Sequence, residues 1–328
     1  MRTPEPRPPS QSFGERRRSS ESGGGNSGTP EPAAVSAYLA WISVCLIWGT
    51  TYLGIKIALE TIPPFLMGGI RYTISGTVLA VWLLARGRRL PPRGDWGRLV
   101  ILGFFMLMLG NGGVVWGEQF VPSGLTAVLI GTSPFWMVTV DAIVSGGRQL
   151  GVWQILGLAI GFAGIVVLVW PDITAGGASG RTFALGVLSL QVACAGWAIG
   201  SAYTRRHVMP RDVFGSAALQ MFFGGVFLML AGTLAGEWPK LAFNARTTFA
   251  LVYLTLVGAV IAFAAYSYAL RHLDMAFVSL YSYVNPVIAV VLGTLILNEP
   301  FHARTAIAIA IIAAGVVVVR RSLVIDNG

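Results

Sequence analysis

Ten apolar stretches, each about as long as a membrane-crossing helix, account for most of this chain of 328 residues. An α-helix rises about 1.5 Å per residue, so roughly twenty apolar residues cross a bilayer core about 30 Å thick. Charged residues, Pro or Gly separate the stretches. The sequence therefore predicts an all-α membrane protein with ten transmembrane helices. We expect these helices at residues 36–59, 64–84, 99–117, 123–144, 152–169, 183–204, 213–235, 249–270, 276–297 and 305–319.

Composition separates the N-terminal segment from the rest of the chain. Hydrophobic residues make up 55% of the sequence and charged residues 11%, whereas a soluble domain carries about 25% charged residues. Residues 1–33 instead consist mainly of Pro, Ser, Gly, Glu and Arg, without the apolar core of a signal peptide. We expect them to form a disordered cytoplasmic tail. The net charge of this tail is only +1, so we expect no binding to nucleic acid.

Basic residues are distributed unequally between the loops on the two sides of the membrane. If the N-terminus is cytoplasmic, 17 Lys and Arg residues lie on the cytoplasmic side, five of them in the loop at 86–98. Only Arg181, Lys240, Arg246 and Arg304 lie on the other side. Cytoplasmic loops of membrane proteins are enriched in Lys and Arg. We therefore expect a multi-pass protein of the cell (inner) membrane with both termini in the cytoplasm.

The second half of the sequence repeats features of the first half at an offset of 149 to 152 residues. The matched pairs are Cys45 and Cys194, Trp48 and Trp197, Gly76 and Gly225, Trp116 and Tyr268, Pro134 and Pro286, and Gly164 and Gly315. Each copy contains five predicted helices, and because five is odd, the second copy enters the membrane from the opposite side. The sequence thus predicts two inverted repeats, at residues 34–171 and 181–321. Such repeats are typical of transporters that work by alternating access.

Several short motifs follow one another in an order that resembles a known family. They are Ile-Trp-Gly-Thr-Thr-Tyr at 47–52, Glu60, Pro-Pro at 63–64, Gly-Ile-Arg at 69–71, Gly-Asn-Gly at 110–112, Val-Pro-Ser-Gly at 121–124, Tyr-Val-Asn-Pro at 283–286, and Glu299. Over residues 40–321 the chain resembles EamA-type members of the drug/metabolite transporter superfamily. The resemblance implies a ten-helix bundle of two EamA repeats that exports amino acids or similar metabolites across the plasma membrane. The N-terminal tail has no counterpart in this family.

Four ionisable residues lie within or at the ends of the predicted helices. A charge in the bilayer core is costly unless a partner or water stabilises it. Arg71 lies about 10 Å inside its helix, where it either binds a substrate carboxylate or pairs within the protein, for example with Glu118. Lys56, Glu118 and Asp141 are candidates for proton coupling or gating, with Arg148 as the gating partner of Asp141. The alternatives are an intrahelical pair of Lys56 with Glu60, and solvated helix ends for the two acidic residues.

Polar aromatic and amide side chains concentrate in the parts of the helices that the repeat makes equivalent. Such side chains suit a cavity for varied organic solutes, although Trp and Tyr also form belts at membrane interfaces. With Arg71, the candidate substrate-binding residues are Trp48, Tyr52, Asn111, Trp116, Trp197, Tyr268, Tyr281, Tyr283 and Asn285. Pro134 and Pro286 are predicted to kink their helices, because Pro removes a backbone hydrogen bond.

The sequence lacks the residue clusters of a membrane enzyme or an ATP-driven pump. The three His residues lie in separate loops, both Cys residues lie in apolar stretches, and no Walker A motif occurs. We therefore expect no catalysis, metal or cofactor, and predict a secondary-active transporter. A channel or receptor-like membrane protein is the alternative. The expected partners are a small-molecule substrate and the lipid bilayer. The small residues Gly157 and Gly161 predict close helix packing, either with the fourth helix of the same chain or in a homodimer.

Overall fold

The computed structural model describes residues 32–144, 151–174, 178–207, 213–273, 278 and 281–325. Within these residues every regular element is a helix. Seven of the described helices are long and apolar enough to cross a membrane, and three shorter apolar helices accompany them. These findings confirm the predicted all-α membrane class. The tail predicted at residues 1–33 lies almost entirely outside the described residues.

We number the helical segments of the described residues in chain order. They are α1 (Pro32–Ala58), α2 (Pro64–Ala85), α3 (Arg93–Gly117), α4 (Ser123–Val144), α5 (Val152–Thr174), α6 (Ala178–His207), α7 (Val213–Leu234), α8 (245–272), α9 (Tyr281–Leu297) and α10 (Ala303–Ile325). The helix predicted at 305–319 is therefore longer at both ends, because Arg320 and Arg321 continue the last turns instead of ending them.

Three of these helices contain local irregularities. The middle of α3, Gly103–Asn111, and the middle of α8, Leu256–Ile261, are π-helical. A π-helical segment shifts the backbone hydrogen bonds by one residue and is frequent at functional sites. Helix α4 is interrupted between Ser123–Ile130 and Ser133–Val144. Pro134 therefore lies at the start of the second part, where Pro is tolerated, whereas Pro286 lies inside α9.

Helices α2 and α7 pack closely through glycines that the repeat matches. A Cβ atom at Gly76 would lie 2.5 Å from Phe222 N and 2.6 Å from Ala218 O. A Cβ atom at Gly225 would likewise meet the backbone of Thr73. The offset of 149 residues relates Gly76 to Gly225 and Thr73 to Phe222. The contact of Gly76 with Phe222 is therefore equivalent to the contact of Gly225 with Thr73. The order of the contacts along the chain shows that α2 and α7 run in opposite directions.

Helices α5 and α10 form a second pair of this kind. A Cβ atom at Gly164 would lie 3.0 Å from Ile312 N, and one at Gly315 would lie 2.6 Å from Gly161 N and 2.7 Å from Gly157 O. The repeat again makes these two contacts equivalent, because an offset of 151 residues relates Gly164 to Gly315 and Gly161 to Ile312. Gly157 and Gly161 thus pack against α10 of the same chain, and Gly161 also packs against Phe135 of α4, the helix that the sequence favoured.

We expect Gly76→Ala to lower the free energy of unfolding of the protein in detergent by about 1–3 kcal/mol, because the added methyl group overlaps the backbone of α7. Gly225→Ala should have a similar effect, since it makes the equivalent contact. Gly97→Ala is the matched control, because a Cβ atom there meets nothing within 4 Å. Thermal denaturation of the purified variants measures the difference. If Gly76→Ala is as stable as Gly97→Ala, the close contact between α2 and α7 is wrong.

Candidate functional site

Side chains of α1 and α2 converge on Gly258 in the π-helical part of α8. Trp48 donates its indole N–H to Gly258 O at 3.3 Å, and Arg71 donates Nε–H to Leu254 O at 3.1 Å. A Cβ atom at Gly258 would lie 3.1 Å from the Thr51 methyl group and 3.4 Å from Arg71 Nη2. Glycine at this position therefore lets the backbone of α8 approach the guanidinium closely.

Arg71 is the charged residue of this region. Its side chain is buried, with 5% exposed, and the guanidinium carbon lies 4.8 Å from the centre of the Tyr72 ring. Among the described residues the guanidinium makes one hydrogen bond, through Nε to Leu254 O. The two Nη groups therefore remain as donors in the planar fork that suits a carboxylate.

An aromatic cluster adjoins Arg71. Trp48 of α1, Tyr266 of α8 and Tyr281 of α9 have ring centres 5.3 Å (Trp48 to Tyr266), 4.8 Å (Trp48 to Tyr281) and 5.9 Å (Tyr266 to Tyr281) apart. These separations are typical of favourable aromatic pairs. All three residues are half-buried, so part of their ring surface can contact a solute. Trp48 connects the cluster to Arg71, because both contact the same turn of α8.

Asn111 connects α2 to the π-helical part of α3. Tyr72 donates its hydroxyl hydrogen to Asn111 Oδ1 at 2.6 Å, and Asn111 Nδ2 donates to Met106 O at 3.3 Å. Tyr72 also lies beside Arg71, so Asn111 supports the guanidinium through one intervening ring. The structure thus brings Asn111 into the same region as Arg71.

Asn285 connects α9 to α1 at the aromatic cluster. It is buried, and in the amide orientation that satisfies both of its polar atoms, the nitrogen donates to Cys45 O at 3.1 Å and to Tyr281 O at 3.0 Å. In the other half, Ser133 donates its hydroxyl hydrogen to Cys194 Sγ at 3.4 Å. Ser133 is the repeat counterpart of Asn285, and Cys194 is that of Cys45. Both halves therefore anchor an equivalent pair of helices through equivalent positions.

Trp197 occupies in the second half the place of Trp48 in the first half. Its ring lies over Gly110 in the π-helical part of α3, 2.6 Å from where a Cβ atom would be. Each Trp thus packs on the π-helical segment of the other half. Trp197 is 36% exposed, whereas Trp48 is half-buried and contacts the rings of Tyr266 and Tyr281.

Three of the other predicted residues lie away from Arg71 or within the packed core. Trp116 packs against Phe120, with ring centres 5.0 Å apart, and Tyr52 packs against a buried apolar cluster. Tyr268 is 39% exposed and lies against His272, so it does not join the aromatic cluster. The side chain of Tyr283 lies outside the described residues.

The sequence interpretation missed Tyr266. It selected Tyr268 because that residue matches Trp116 in the repeat. Successive residues of an α-helix differ by about 100°, so residues 266 and 268 point to nearly opposite sides of α8. Tyr266 is distinguished by its contact with Trp48, which only the structure gives.

Lys56 and Glu118 meet at the end of the bundle where α1 ends and α2 begins, which we call the α1–α2 end. Lys56 Nζ donates to Glu118 O at 2.5 Å and to Val121 O at 3.1 Å. The alternative pair of Lys56 with Glu60 is wrong, because Glu60 accepts from Arg246 at 3.2 Å instead. Lys56 therefore fixes the segment that joins α3 to α4.

The carboxylate of Glu118 is fully buried, with 0% exposed. The alternative of a solvated helix end is therefore wrong for this residue. Within the described part of the chain, neither carboxylate oxygen has a hydrogen-bond partner. Arg71, the predicted alternative partner, interacts with Glu118 electrostatically but forms no hydrogen bond to it.

Two further carboxylates at the α1–α2 end cap helices. Glu299 accepts from Ser123 N at 2.7 Å and Gly124 N at 3.1 Å, at the start of α4. Glu237 accepts from Phe65 N at 3.3 Å and Leu66 N at 2.8 Å, at the start of α2. Negative charge is favourable at a helix N-terminus, where backbone N–H groups lack partners.

The last candidate, Asp141, lies away from the α1–α2 end. It is a half-buried residue near the end of α4. Its predicted gating partner, Arg148, falls outside the described residues. The structure therefore does not bring Asp141 together with Arg71 or Glu118.

The model of the EamA-like transporter family matches residues 35–170 and 184–321. The chain belongs to the EamA-like transporter family. Arg71 and Trp48 lie in the first matched EamA region, and Gly258, Tyr266 and Tyr281 lie in the second. The site is therefore formed between the two EamA regions.

Individual relatives of this EamA chain include bacterial transporters. The inner membrane transporter YedA from Escherichia coli (strain K12) is 35% identical over 281 residues, which cover 85% of this chain and 89% of YedA. The transporter YoaV from Bacillus subtilis (strain 168) is 25% identical and covers 86% of this chain and 96% of YoaV. These EamA relatives support a multi-pass membrane transporter, as the sequence predicted.

A solved crystal structure shares the fold of this EamA chain. It covers 87% of this chain and 97% of its own, with 24% sequence identity and a TM-score of 0.59. At this identity the similarity concerns the fold alone. It agrees with the helical architecture described above.

Proposed function

We propose that this EamA transporter is a secondary-active exporter of small organic solutes that carry a carboxylate, such as amino acids or similar metabolites, across the plasma membrane. The observation that carries the proposal is the convergence of Arg71 and Trp48 on Gly258. This convergence places an aromatic cluster beside a buried guanidinium whose two Nη groups make no hydrogen bond among the described residues. A carboxylate at Arg71 and an apolar or aromatic group at the cluster together define an amphipathic organic anion or zwitterion.

Arg71 supports a carboxylate ligand for electrostatic and geometric reasons. A buried cation requires a counter-charge or polar partners. Glu118 provides negative charge nearby, but its carboxylate does not hydrogen-bond to the guanidinium. A solute carboxylate fits the Nη fork with two parallel hydrogen bonds.

Alternating access is supported by the contacts between matched glycines. The α2–α7 and α5–α10 contacts are exchanged by the repeat, and the paired helices run in opposite directions. Such pairs are expected of two inverted five-helix repeats with ten transmembrane helices in total. In transporters of this kind, one repeat rocks against the other around a site near the midplane. In this proposal, Arg71 and the aromatic cluster form that site between the halves.

The experiment that tests this function compares the external metabolites of cells with and without the protein. We expect the producing cells to accumulate one or a few carboxylate-bearing solutes in the medium. Cells that produce an Arg71→Ala variant at equal membrane abundance are the control. If the external metabolites are the same in all three strains, export is not the function.

We expect both termini and the Arg-rich loop at 86–98 to be cytoplasmic, because 17 Lys and Arg residues lie on that side and four on the other. A green-fluorescent fusion after Val324 should therefore fluoresce, and an alkaline phosphatase fusion there should be inactive. A phosphatase fusion after Gly236, at the α1–α2 end, should be active and is the control. An active phosphatase after Val324 would contradict the topology and the inverted repeats.

A further inference from the structure

Charged and titratable groups from three elements surround the buried carboxylate of Glu118. Lys56 and Tyr52 approach it from α1, Arg71 from α2, and Glu299 from the segment after α9. The fourth neighbour, α6, contributes apolar and backbone atoms, because Gly117 packs against Gly186 O and the Leu190 side chain. Two positive side chains, Lys56 and Arg71, and one negative side chain, Glu299, therefore interact with one buried carboxylate.

The carboxylate of Glu118 is placed differently from that of Glu299. Glu299 accepts two hydrogen bonds from backbone N–H groups, which stabilise its negative charge. Both oxygens of Glu118 are buried without a hydrogen-bond partner among the described residues, and Lys56 directs its Nζ to backbone carbonyl oxygens instead. Burial without hydrogen bonds strongly disfavours a carboxylate relative to a neutral carboxylic acid. Among the described residues, the charges of Lys56 and Arg71 oppose this effect.

A solute anion at Arg71 changes that balance. When the Nη groups are unoccupied, the positive charge of Arg71 stabilises the Glu118 carboxylate. When they bind a solute carboxylate, the added negative charge offsets that of Arg71 and also repels Glu118. The neutral carboxylic acid is then the favoured form. Solute binding and proton binding are therefore linked through Arg71.

We propose that Glu118 is a proton-binding site of the transport cycle, occupied by a proton together with an anionic solute at Arg71. The inference rests on the proposed function, since it requires an anion at Arg71. One proton from water forms an O–H bond on the Glu118 carboxylate as the anion binds, and that bond breaks when the solute leaves. Lys56 is a positioning residue, because it fixes the segment that carries Glu118.

The linkage has a definite sign. If the anion and the proton bind together, the affinity for the anion rises as pH falls, because linkage is reciprocal. A coupling of this kind is on the order of tenfold in affinity between the two protonation states. Transport of a monoanion with one proton moves no net charge, so its rate should not depend on the membrane potential. Export of such a solute is then driven by its own outward gradient and is opposed by an inward proton gradient, because one proton leaves with each anion.

The first test requires no solute. We expect infrared difference spectra of the purified protein, recorded between mildly alkaline and mildly acidic pH, to show the carbonyl stretch of a protonated carboxylic acid that Glu118→Gln removes. Glu237→Gln is the matched control, because Glu237 is also buried at the α1–α2 end but accepts two backbone hydrogen bonds. Glu60→Gln, at an exposed position, replaces it if Glu237→Gln does not fold. Identical spectra for wild type and Glu118→Gln would overturn the proposal.

The second test uses 3-phenylpropionate, which carries one carboxylate for Arg71 and one ring for the aromatic cluster. In weakly buffered detergent solution, we expect the wild type to take up about one proton as it binds this probe. Glu118→Gln should bind it without proton uptake and with the affinity that the wild type has at low pH. Proton uptake that persists in Glu118→Gln would overturn the linkage. If the infrared signal is present but the probe does not bind, the proton site stands and the anion site of the proposed function is wrong.

Discussion

Arg71→Ala is expected to reduce transport of 3-phenylpropionate by about 10- to 100-fold. Hydrogen bonds to a charged group contribute about 1.5–3 kcal/mol, and each 1.4 kcal/mol corresponds to about tenfold in an equilibrium constant. The guanidinium is buried beside Leu254 O and Gly258, and the alanine variant has no cation at this position. Initial rates in proteoliposomes, normalised to folded protein, measure the effect.

The matched probe for this experiment is 3-phenylpropylamine, which has the same ring and the opposite charge. Its transport should fall less, because it does not use the Nη fork. Arg71→Lys should retain part of the transport of the anion, since it keeps the charge but loses the bidentate geometry. Equal losses for anion and cation in Arg71→Ala, together with a lower thermal stability, would show that Arg71 is a structural residue.

Trp48→Ala is expected to raise the KM for 3-phenylpropionate by about tenfold. The substitution removes the ring that packs against Tyr266 and Tyr281, and aromatic contacts of this type contribute about 0.5–1.5 kcal/mol beyond the burial of apolar area. Transport of propionate, which has no ring, should change much less. Uptake into proteoliposomes at increasing solute concentrations gives both KM values.

Tyr268→Ala is the matched control for the aromatic cluster. Tyr268 lies only two residues from Tyr266, but it is 39% exposed and packs against His272. We expect this variant to transport both solutes like the wild type. An equal effect of Trp48→Ala and Tyr268→Ala, or an equal effect of Trp48→Ala on both solutes, would contradict the cluster as a solute-binding surface.

The fold class was predictable because the bilayer imposes one requirement on the whole chain. A segment that crosses it satisfies its backbone hydrogen bonds internally, so each apolar stretch forms a helix. The repeat offset of 149 residues also predicted an equivalence that Gly76 and Gly225 now show in their contacts. Other features depend on local hydrogen bonding. The π-helical segments of α3 and α8 and the interruption of α4 leave no comparable pattern in the sequence.

The site was predictable only in part, because the sequence indicates which side chains are costly to bury but not which of them meet. Arg71 and Trp48 were both candidates, and the structure brings them to the same turn of α8. Glu118 was a candidate as well, yet its burial depends on the segment after α3, which Lys56 holds through hydrogen bonds to Glu118 O and Val121 O. Sequence spacing instead favoured a pair of Lys56 with Glu60. Lys56 and Glu60 are close along the chain, but Glu60 pairs with Arg246 from the other half.

Counterflow in proteoliposomes tests the central claim of solute transport by alternating access most directly. Vesicles are loaded with unlabelled 3-phenylpropionate and diluted into medium with a trace of the labelled solute, without any pH gradient or membrane potential. An alternating-access carrier exchanges one solute for another, so labelled solute should accumulate transiently inside the vesicles above its external concentration. Vesicles with Arg71→Ala should show little accumulation. If the labelled solute only equilibrates in the wild-type vesicles, the protein conducts like a channel and alternating access is contradicted.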